Sequence, residues 1–427
     1  MQGFDCQNVL SRRARSFKLS PIQQLSLLAQ RCNAINLAEG FPDFPAPLHI
    51  KEAAVAAITA DFNQYRHVQG VCEKVASAFE MAHGVKVDPA TEVTLCCGQS
   101  EALAAAILAV VEANDEVVIL EPAYDTYEAC TILAGGKPVF VSLDPPFWSL
   151  DLKKLDAAIG PKTKAVIINS PHNPTGKVFS KVELADITNL CCKHGCLAIT
   201  DEVYEHITFD DVKHVSLASF PGMKERTIVT SSLSKTFGVT GWRIGWAIAP
   251  SALTSAIQII HTKLTDSAPA PFQEAALTAL QSCPDFYKSL KQEYQFRRDY
   301  VCNFLNDFGF IVHFRPQGSF FVFVELPSEV RFDDIEYVME AINTLGIAFV
   351  PGCAFFNKSG AEENLKFHVS TDLAKKGLQM PRNLKGSNDA SENLVSNPYK
   401  HRYIRVAFCK DISTLQAAKL ALRRQCK

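Results

Sequence analysis

T-S-S-L-S-K-T-F-G-V-T-G-W-R-I-G-W, residues 230–246, follows the apolar run Thr227-Ile228-Val229, which reads as a buried strand. Its lysine, Lys235, has Ser231, Ser232 and Ser234 for company in place of charged residues. A poorly solvated ammonium has a lowered proton affinity, so this lysine is a candidate nucleophilic amine. Eight residues on stands Arg243, framed by Gly241 and Gly245. Serine hydroxyls and an arginine fork are the donors a phosphate needs. A lysine that bonds an aldehyde beside a phosphate cup would hold pyridoxal phosphate at both its ends. The same letters also suit a surface lysine in a serine-rich turn, because short motifs recur by accident.

Outward from this stretch, residues 93–97, 117–120, 139–141, 165–169, 197–200, 227–230 and 244–248 are further apolar runs of strand length, with helical segments between many of them. Near-continuous apolar strands separated by helices imply an α/β fold, a mostly parallel sheet covered on both faces. In such sheets ligands gather at the carboxyl ends of the strands. Those ends carry Tyr124 after Glu121-Pro122-Ala123, Asn173 within a rigid turn between Pro171 and Pro174, and Asp201 with Tyr204. A desolvated aspartate is costly unless it meets a positive, proton-bearing group, and a pyridinium N–H is one. Each also has a plainer use: Tyr124 in the core, Asn173 as a turn former, Asp201 as a helix cap. Gly98-Gln99-Ser100-Glu101 opens an alanine-rich helix whose free N–H groups suit a phosphate, or an ordinary serine cap with Glu101 in the first turn.

Before the sheet, residues 20–31 read as a helix, and Gly40 with its flanking prolines fixes an irregular loop over 36–45, an anion site or a linker. Tyr65 lies in a polar loop. Beyond Pro271 helices dominate, followed by a smaller α+β unit with strands at 311–314, 320–325, 348–351 and 403–408 and a helix near 335–345. Residues 372–401 are polar and rich in Gly, Asn and Lys, the composition of a mobile loop. Arg405 alternates with apolar neighbours on the last strand, where an arginine needs an anion: a substrate carboxylate or a salt bridge. The division expected is an N-terminal arm over 1–45 that joins the small domain, a large domain over 46–300 and a small one over 301–427.

The formal charge of −2 and the lack of like-charge blocks give no electrostatic case for nucleic acid or an anionic membrane. No apolar run reaches the roughly 18 residues of a membrane span. Fourteen cysteines include two adjacent pairs, Cys96-Cys97 and Cys191-Cys192, and read as free thiols of a reducing compartment, the cytosol. Cys191, Cys192, His194 and Cys196 share one segment with no second cluster to complete a zinc-like set, so no metal is expected.

With these residues in hand, the chain closely resembles the class I aminotransferases, the pyridoxal-phosphate enzymes of the aspartate aminotransferase fold (fold type I). S-L-S-K-T-F-G-V-T-G-W-R-I-G, N-P-T-G, D-E-V-Y and the late arginine appear in the family's order. L-A-E-G-F-P-D-F and the layout look most like the kynurenine aminotransferase, glutamine transaminase K and methionine aminotransferase branch, and P-H-N-P-T-G-K-V-F like its plant-type members. The resemblance implies that Lys235 carries the cofactor and moves a proton, and that Asp201 holds the pyridine nitrogen. It implies that Asn173 and Tyr204 bond the ring oxygen and Tyr124 stacks on the ring. The backbone at Ser100 and Glu101, with Ser232 and Arg243, would hold the phosphate. Tyr65 would reach the phosphate of a neighbouring subunit in a homodimer, and Arg405, with Gly40 and Asn173, would clamp the substrate carboxylate. The activity implied is transfer of an amino group from a neutral aromatic or sulfur-containing amino acid to a 2-oxo acid, in a pocket that Phe41, Phe44 and Phe355-Phe356 would line. A β-lyase acting on cysteine S-conjugates is the alternative within enzymes, and a non-catalytic scaffold the alternative outside them.

Overall fold

The computed structural model describes residues 9–17, 19–68, 70–357 and 399–423. Of the loop expected over 372–401, all but the last three positions lie outside the described residues. The chain begins with α1 (Arg12–Ser16), α2 (Pro21–Arg31) and the two-residue strand β1 (Ile35–Asn36), then α3 (Leu48–Thr59) and α4 (Val71–His83). Pro21 occupies the first turn of α2, where its missing N–H costs nothing, and Leu25, Leu28 and Ala29 form the buried stripe.

Seven strands make the central sheet: β2 (Val93–Cys96), β3 (Glu116–Glu121), β4 (Lys137–Ser142), β5 (Thr163–Asn169), β6 (Leu197–Asp201), β7 (Thr227–Ser232) and β8 (Gly245–Ile248). Their order is β2-β8-β7-β6-β5-β3-β4. All are mutually parallel except β8, which runs antiparallel between β2 and β7. Helices α5 (Gln99–Val110), α6 (Asp125–Leu133), α7 (Leu152–Ala158) and α8 (Lys181–His194) connect the strands. Val117 to Leu120 and Ala165 to Ile168 are all buried, as a sheet covered on both faces requires. The register sets Asn169 beside Asp201 and Asp201 beside Thr230, with Ser232 opposite Gly245. One edge of the sheet therefore collects the polar residues that end three strands, β5, β6 and β7.

Helices α9 (Ser251–Thr265), α10 (Ala270–Leu280) and α11 (Pro284–Asp307) lead to β9 (Phe321–Glu325), α12 (Asp334–Glu340), β10 (Ile347–Ala348), β11 (Val350–Pro351), β12 (Tyr403–Ala407) and α13 (Ile412–Leu422). An antiparallel sheet orders β11-β12-β9 and places Arg405 between Val350 and Phe323. Two expectations need correction. Residues 311–314 make only a single bridge, Ile311 to Glu325, because the chain then turns away and the Gln317 and Gly318 amides bond Gly176 O. The strand expected over 348–351 is two: β10 pairs in parallel with β1, and β11 pairs with β12. The first of these pairings ties the N-terminal stretch to the C-terminal unit.

Candidate active site

At the carboxyl edge of the sheet lies a cavity of about 750 Å³ lined by Lys235, Asp201, Asn173, Tyr204, Arg243 and Arg405, among others. Asp201 ends β6, is 4% exposed, and its Oδ2 accepts a 2.7 Å hydrogen bond from the Tyr127 hydroxyl. Burial pushes its carboxyl up from 3.8 to about 6, against the pull of Tyr127 and of the Val203 N–H. Lys235 follows β7, and its Nζ donates to Gly40 O at 3.0 Å. The ammonium also lies 5.8 Å from the Tyr204 ring centroid and 5.6 Å from that of Phe320. Burial lowers its pKa from 10.5 to about 8, which leaves a larger share of free amine near neutrality than an exposed lysine has.

The β2–α5 turn and the β8 strand build a second wall. Gly98 caps α5 with φ +79°, and a Cβ there would sit 2.2 Å from an Arg243 Nη. Gly245 lies equally close to the chain, since a Cβ on it would come within 2.5 Å of Gln99 N. These two glycines let the guanidinium and the start of α5 close on one point. The first intrahelical bond is Ala102 N to Gly98 O, 3.2 Å, so the amides of Gln99, Ser100 and Glu101 precede it. Gln99, Ser100, Ser232, Thr240 and Arg243 all line the cavity here. Arg243 itself has φ +56° and donates to Thr240 O at 2.8 Å.

Arg405 forms the third corner. It is 2% exposed, donates to Asn173 Oδ1 at 3.0 Å and to Ala38 O at 2.5 Å, and stacks on Phe321 (4.1 Å) and Phe355 (4.9 Å). Asn173 is held in turn, its N–H donating to Asn169 Oδ1 at 2.7 Å. No carboxylate among the described residues pairs with Arg405, and its buried Nε has no partner. Burial brings its pKa down to about 10. A buried guanidinium with spare donors facing a cavity is set up to receive an anion.

The family model for aminotransferases of class I and II matches residues 33–374. This chain is a class I/II aminotransferase. It is 37% identical over 369 residues to a probable N-succinyldiaminopimelate aminotransferase of Mycobacterium tuberculosis, covering 85% of this chain and 92% of the relative. It is 34% identical over 448 residues to human kynurenine–oxoglutarate transaminase 1, covering 97% of each. The solved structure of the Escherichia coli methionine aminotransferase superposes with a TM-score of 0.84 at 30% identity, covering 97% of this chain and 99% of that one.

Enzymes of this family use pyridoxal phosphate, and the residues of this aminotransferase fit it. There is a lysine of lowered pKa, a buried carboxyl lining the same cavity, and a turn at Gly98 and Gly245 where a Cβ would not fit. Most residues singled out in the sequence converge here. Glu101 does not line the cavity, and its carboxylate turns back to accept the Cys97 N–H at 2.7 Å. Tyr65 does not line the cavity and is 78% exposed. Of the phenylalanines, Phe41 lines the cavity and Phe355 flanks Arg405. Phe44 packs on Tyr294 and Arg297 elsewhere, and Phe356 is absent from the lining. His194, grouped earlier with Cys191, Cys192 and Cys196, bonds Asp156 at 2.7 Å.

Sequence reasoning missed Tyr127, Phe321 and residues 19–23, which also line the cavity of the aminotransferase. Tyr127 had one available signal. It stands three residues after Tyr124, the residue that caps α6, and the two rings lie 5.9 Å apart.

Proposed function

We propose that this aminotransferase binds pyridoxal phosphate in the cavity and transfers the amino group of a neutral aromatic or sulfur-containing amino acid to a 2-oxo acid such as pyruvate or 2-oxoglutarate. The observation that carries the reading is the convergence of Lys235, Asp201 and Arg405 on one cavity, with no acidic partner for Arg405 among the described residues. Bound there, the cofactor supplies an electron sink for the electrons left at the substrate Cα and carries the amino group between the two acids. Lys235 Nζ would hold the cofactor by its aldehyde and then move the proton from the substrate Cα. Asp201 would keep the ring nitrogen protonated, while Asn173 and Tyr204 would bond the ring oxygen and Tyr124 would lie on the ring face. The first-turn amides of α5, Ser232 and Arg243 would hold the phosphate. Arg405, with Asn173 and the backbone at Gly40, would fix the α-carboxylate and so orient Cα toward Lys235.

The cations of the lining argue against an acidic side chain. The only ones among the described residues are Lys235, Arg243 and Arg405, and each has a role above. None remains for a second carboxylate, whereas Phe17, Leu19, Ile22, Phe41 and Ile132 offer apolar surface. The reading includes a large domain over 46–300 and a small one over 301–427 joined by the arm. It includes a homodimer in which Tyr65 reaches the partner's phosphate, supported by the exposure of Tyr65 and by that of Leu48, Val55 and Ile58 on α3. A cytosolic setting fits the free cysteines.

The test is the absorbance of the full-length protein loaded with pyridoxal phosphate. Methionine, phenylalanine, tryptophan, kynurenine and glutamate are added one at a time without acceptor. Conversion to the amine form of the cofactor by neutral donors, abolished in Lys235→Ala, supports the reading and ranks donors. Absence of a cofactor band overturns it, and pyruvate release from S-conjugates without the amine form points to a lyase.

A further inference from the structure

Glu101 stands in the first turn of α5, where the helix dipole attracts any anion within reach. A carboxylate on that turn competes with a ligand phosphate for the same positive end. Here it is held away. Glu101 Oε2 accepts the Cys97 N–H at 2.7 Å, and both carboxylate oxygens lie 3.0 Å from Nδ1 of His261, a residue of α9 that is 160 positions distant. The pair is enclosed, with side chains 3% exposed for His261 and 10% for Glu101. His261 Nε2 is buried without a partner, so Nδ1, which also lies 3.2 Å from Thr265 Oγ1, is the nitrogen that the fold uses. The turn this bond anchors is the one that forms the cup. Gly98 N bonds Cys96 O at 2.8 Å, and Arg243 packs on Gly98.

We propose that His261 is a positioning residue for the phosphate site: its Nδ1–H holds the Glu101 carboxylate on the Cys97 amide, out of the cup, and leaves the α5 amides to the phosphate. The proposal rests on the reading that the cavity takes pyridoxal phosphate. Two features separate it from a merely structural bond. The effect is confined to ligands that carry a phosphate, and it requires a donor at Nδ1 and not the ring's bulk.

The experiment titrates full-length, cofactor-free protein with pyridoxal phosphate and with pyridoxal, read by absorbance. His261→Phe keeps an aromatic ring and removes the donor. It is expected to weaken pyridoxal phosphate by about tenfold or more, the scale of a charged hydrogen bond, while pyridoxal binds within about threefold of the parent. His261→Asn, whose amide places an N–H where Nδ1 was, is expected to restore most of the loss. Glu101→Gln added to His261→Phe removes the anion and should also recover affinity. Should His261→Phe not melt cooperatively, His261→Leu carries the same expectation. Parent-like affinity in His261→Phe, equal weakening of both ligands, or no rescue by His261→Asn overturns the proposal. Failure of the unaltered protein to bind pyridoxal phosphate instead overturns the cofactor reading beneath it.

Discussion

Asp201 and Glu202 are adjacent and both are buried, yet they face opposite ways and their carboxyls move in opposite directions. Asp201 looks into the cavity with one strong donor, Tyr127, and a longer contact from Val203 N at 3.3 Å, and it is raised to about 6. Glu202 looks behind the sheet edge. Thr200 and Ser216 hydroxyls each donate to its Oε1 at 2.8 Å, and His214 Nε2 lies 2.7 Å from its Oε2. Burial works against the Glu202 charge, but His214 and the hydroxyl donors outweigh it and hold the carboxyl below its usual value. The same burial thus yields a satisfied anion on one side and an under-satisfied one on the other. The protein completes its polar contacts where they serve the fold and leaves them open where a ligand is to finish them.

The largest effect expected on the cavity side is that of Lys235→Ala, a loss of turnover on the order of 10⁴-fold, the scale of a positioned proton-transfer group. Glu202→Gln measured in the same assay should retain turnover within about tenfold; an equal loss in both would break the comparison. Next comes Arg405→Leu, expected to lower kcat/KM for the amino donor by roughly 10²-fold, since truncating one partner of a buried charged bond costs about 2–5 kcal/mol. Its loss should appear mainly in KM.

Unfolding of the cofactor-free protein in urea sharpens the contrast, because the two carboxyls carry opposite signs. Glu202→Gln breaks a buried pair and should destabilise by about 3 kcal/mol. Asp201→Asn removes a desolvated charge and should stabilise by about 1–3 kcal/mol at pH 7.5. Glu202 is lowered, so its contribution is present above 4.5 and is lost as pH falls through its depressed pKa. His214 is raised, so its contribution is full below 6.5 and is lost as pH rises through its elevated pKa. Asp201 subtracts from stability above about 6, and that penalty is relieved as pH falls from about 6 toward 3.8. A stabilising Glu202→Gln or a destabilising Asp201→Asn would reverse the assignment. The smallest effect is that of Tyr127→Phe. Loss of its hydroxyl should raise the Asp201 pKa by about one unit, read by carboxyl NMR titration, and lower turnover by about tenfold.

Much of the site was legible because its chemistry sits at positions that a local pattern marks. Lys235 and Arg243 belong to one stretch, Asp201 and Asn173 lie at or just after the ends of apolar strands, and Arg405 breaks an apolar alternation where an arginine needs an anion. Tyr127 was not legible, since it meets Asp201 across 74 residues and looks like any aromatic on an amphipathic helix. The contact of Glu101 with His261 spans 160 residues, and no local pattern marks it. The sheet followed from its apolar runs, whereas the division of 347–351 between two sheets depends on partners more than 50 to 300 residues away, β12 and β1.

The attachment of the N-terminal stretch has a consequence in time. Gly40 O meets Lys235, Ala38 O meets Arg405 across 367 positions, and β1 pairs with β10. During synthesis, residues 35–38 leave the ribosome long before β10 and β12, on which they dock, emerge. The cavity therefore closes last, and a nascent chain halted before β12 carries Lys235 beneath an unfinished wall.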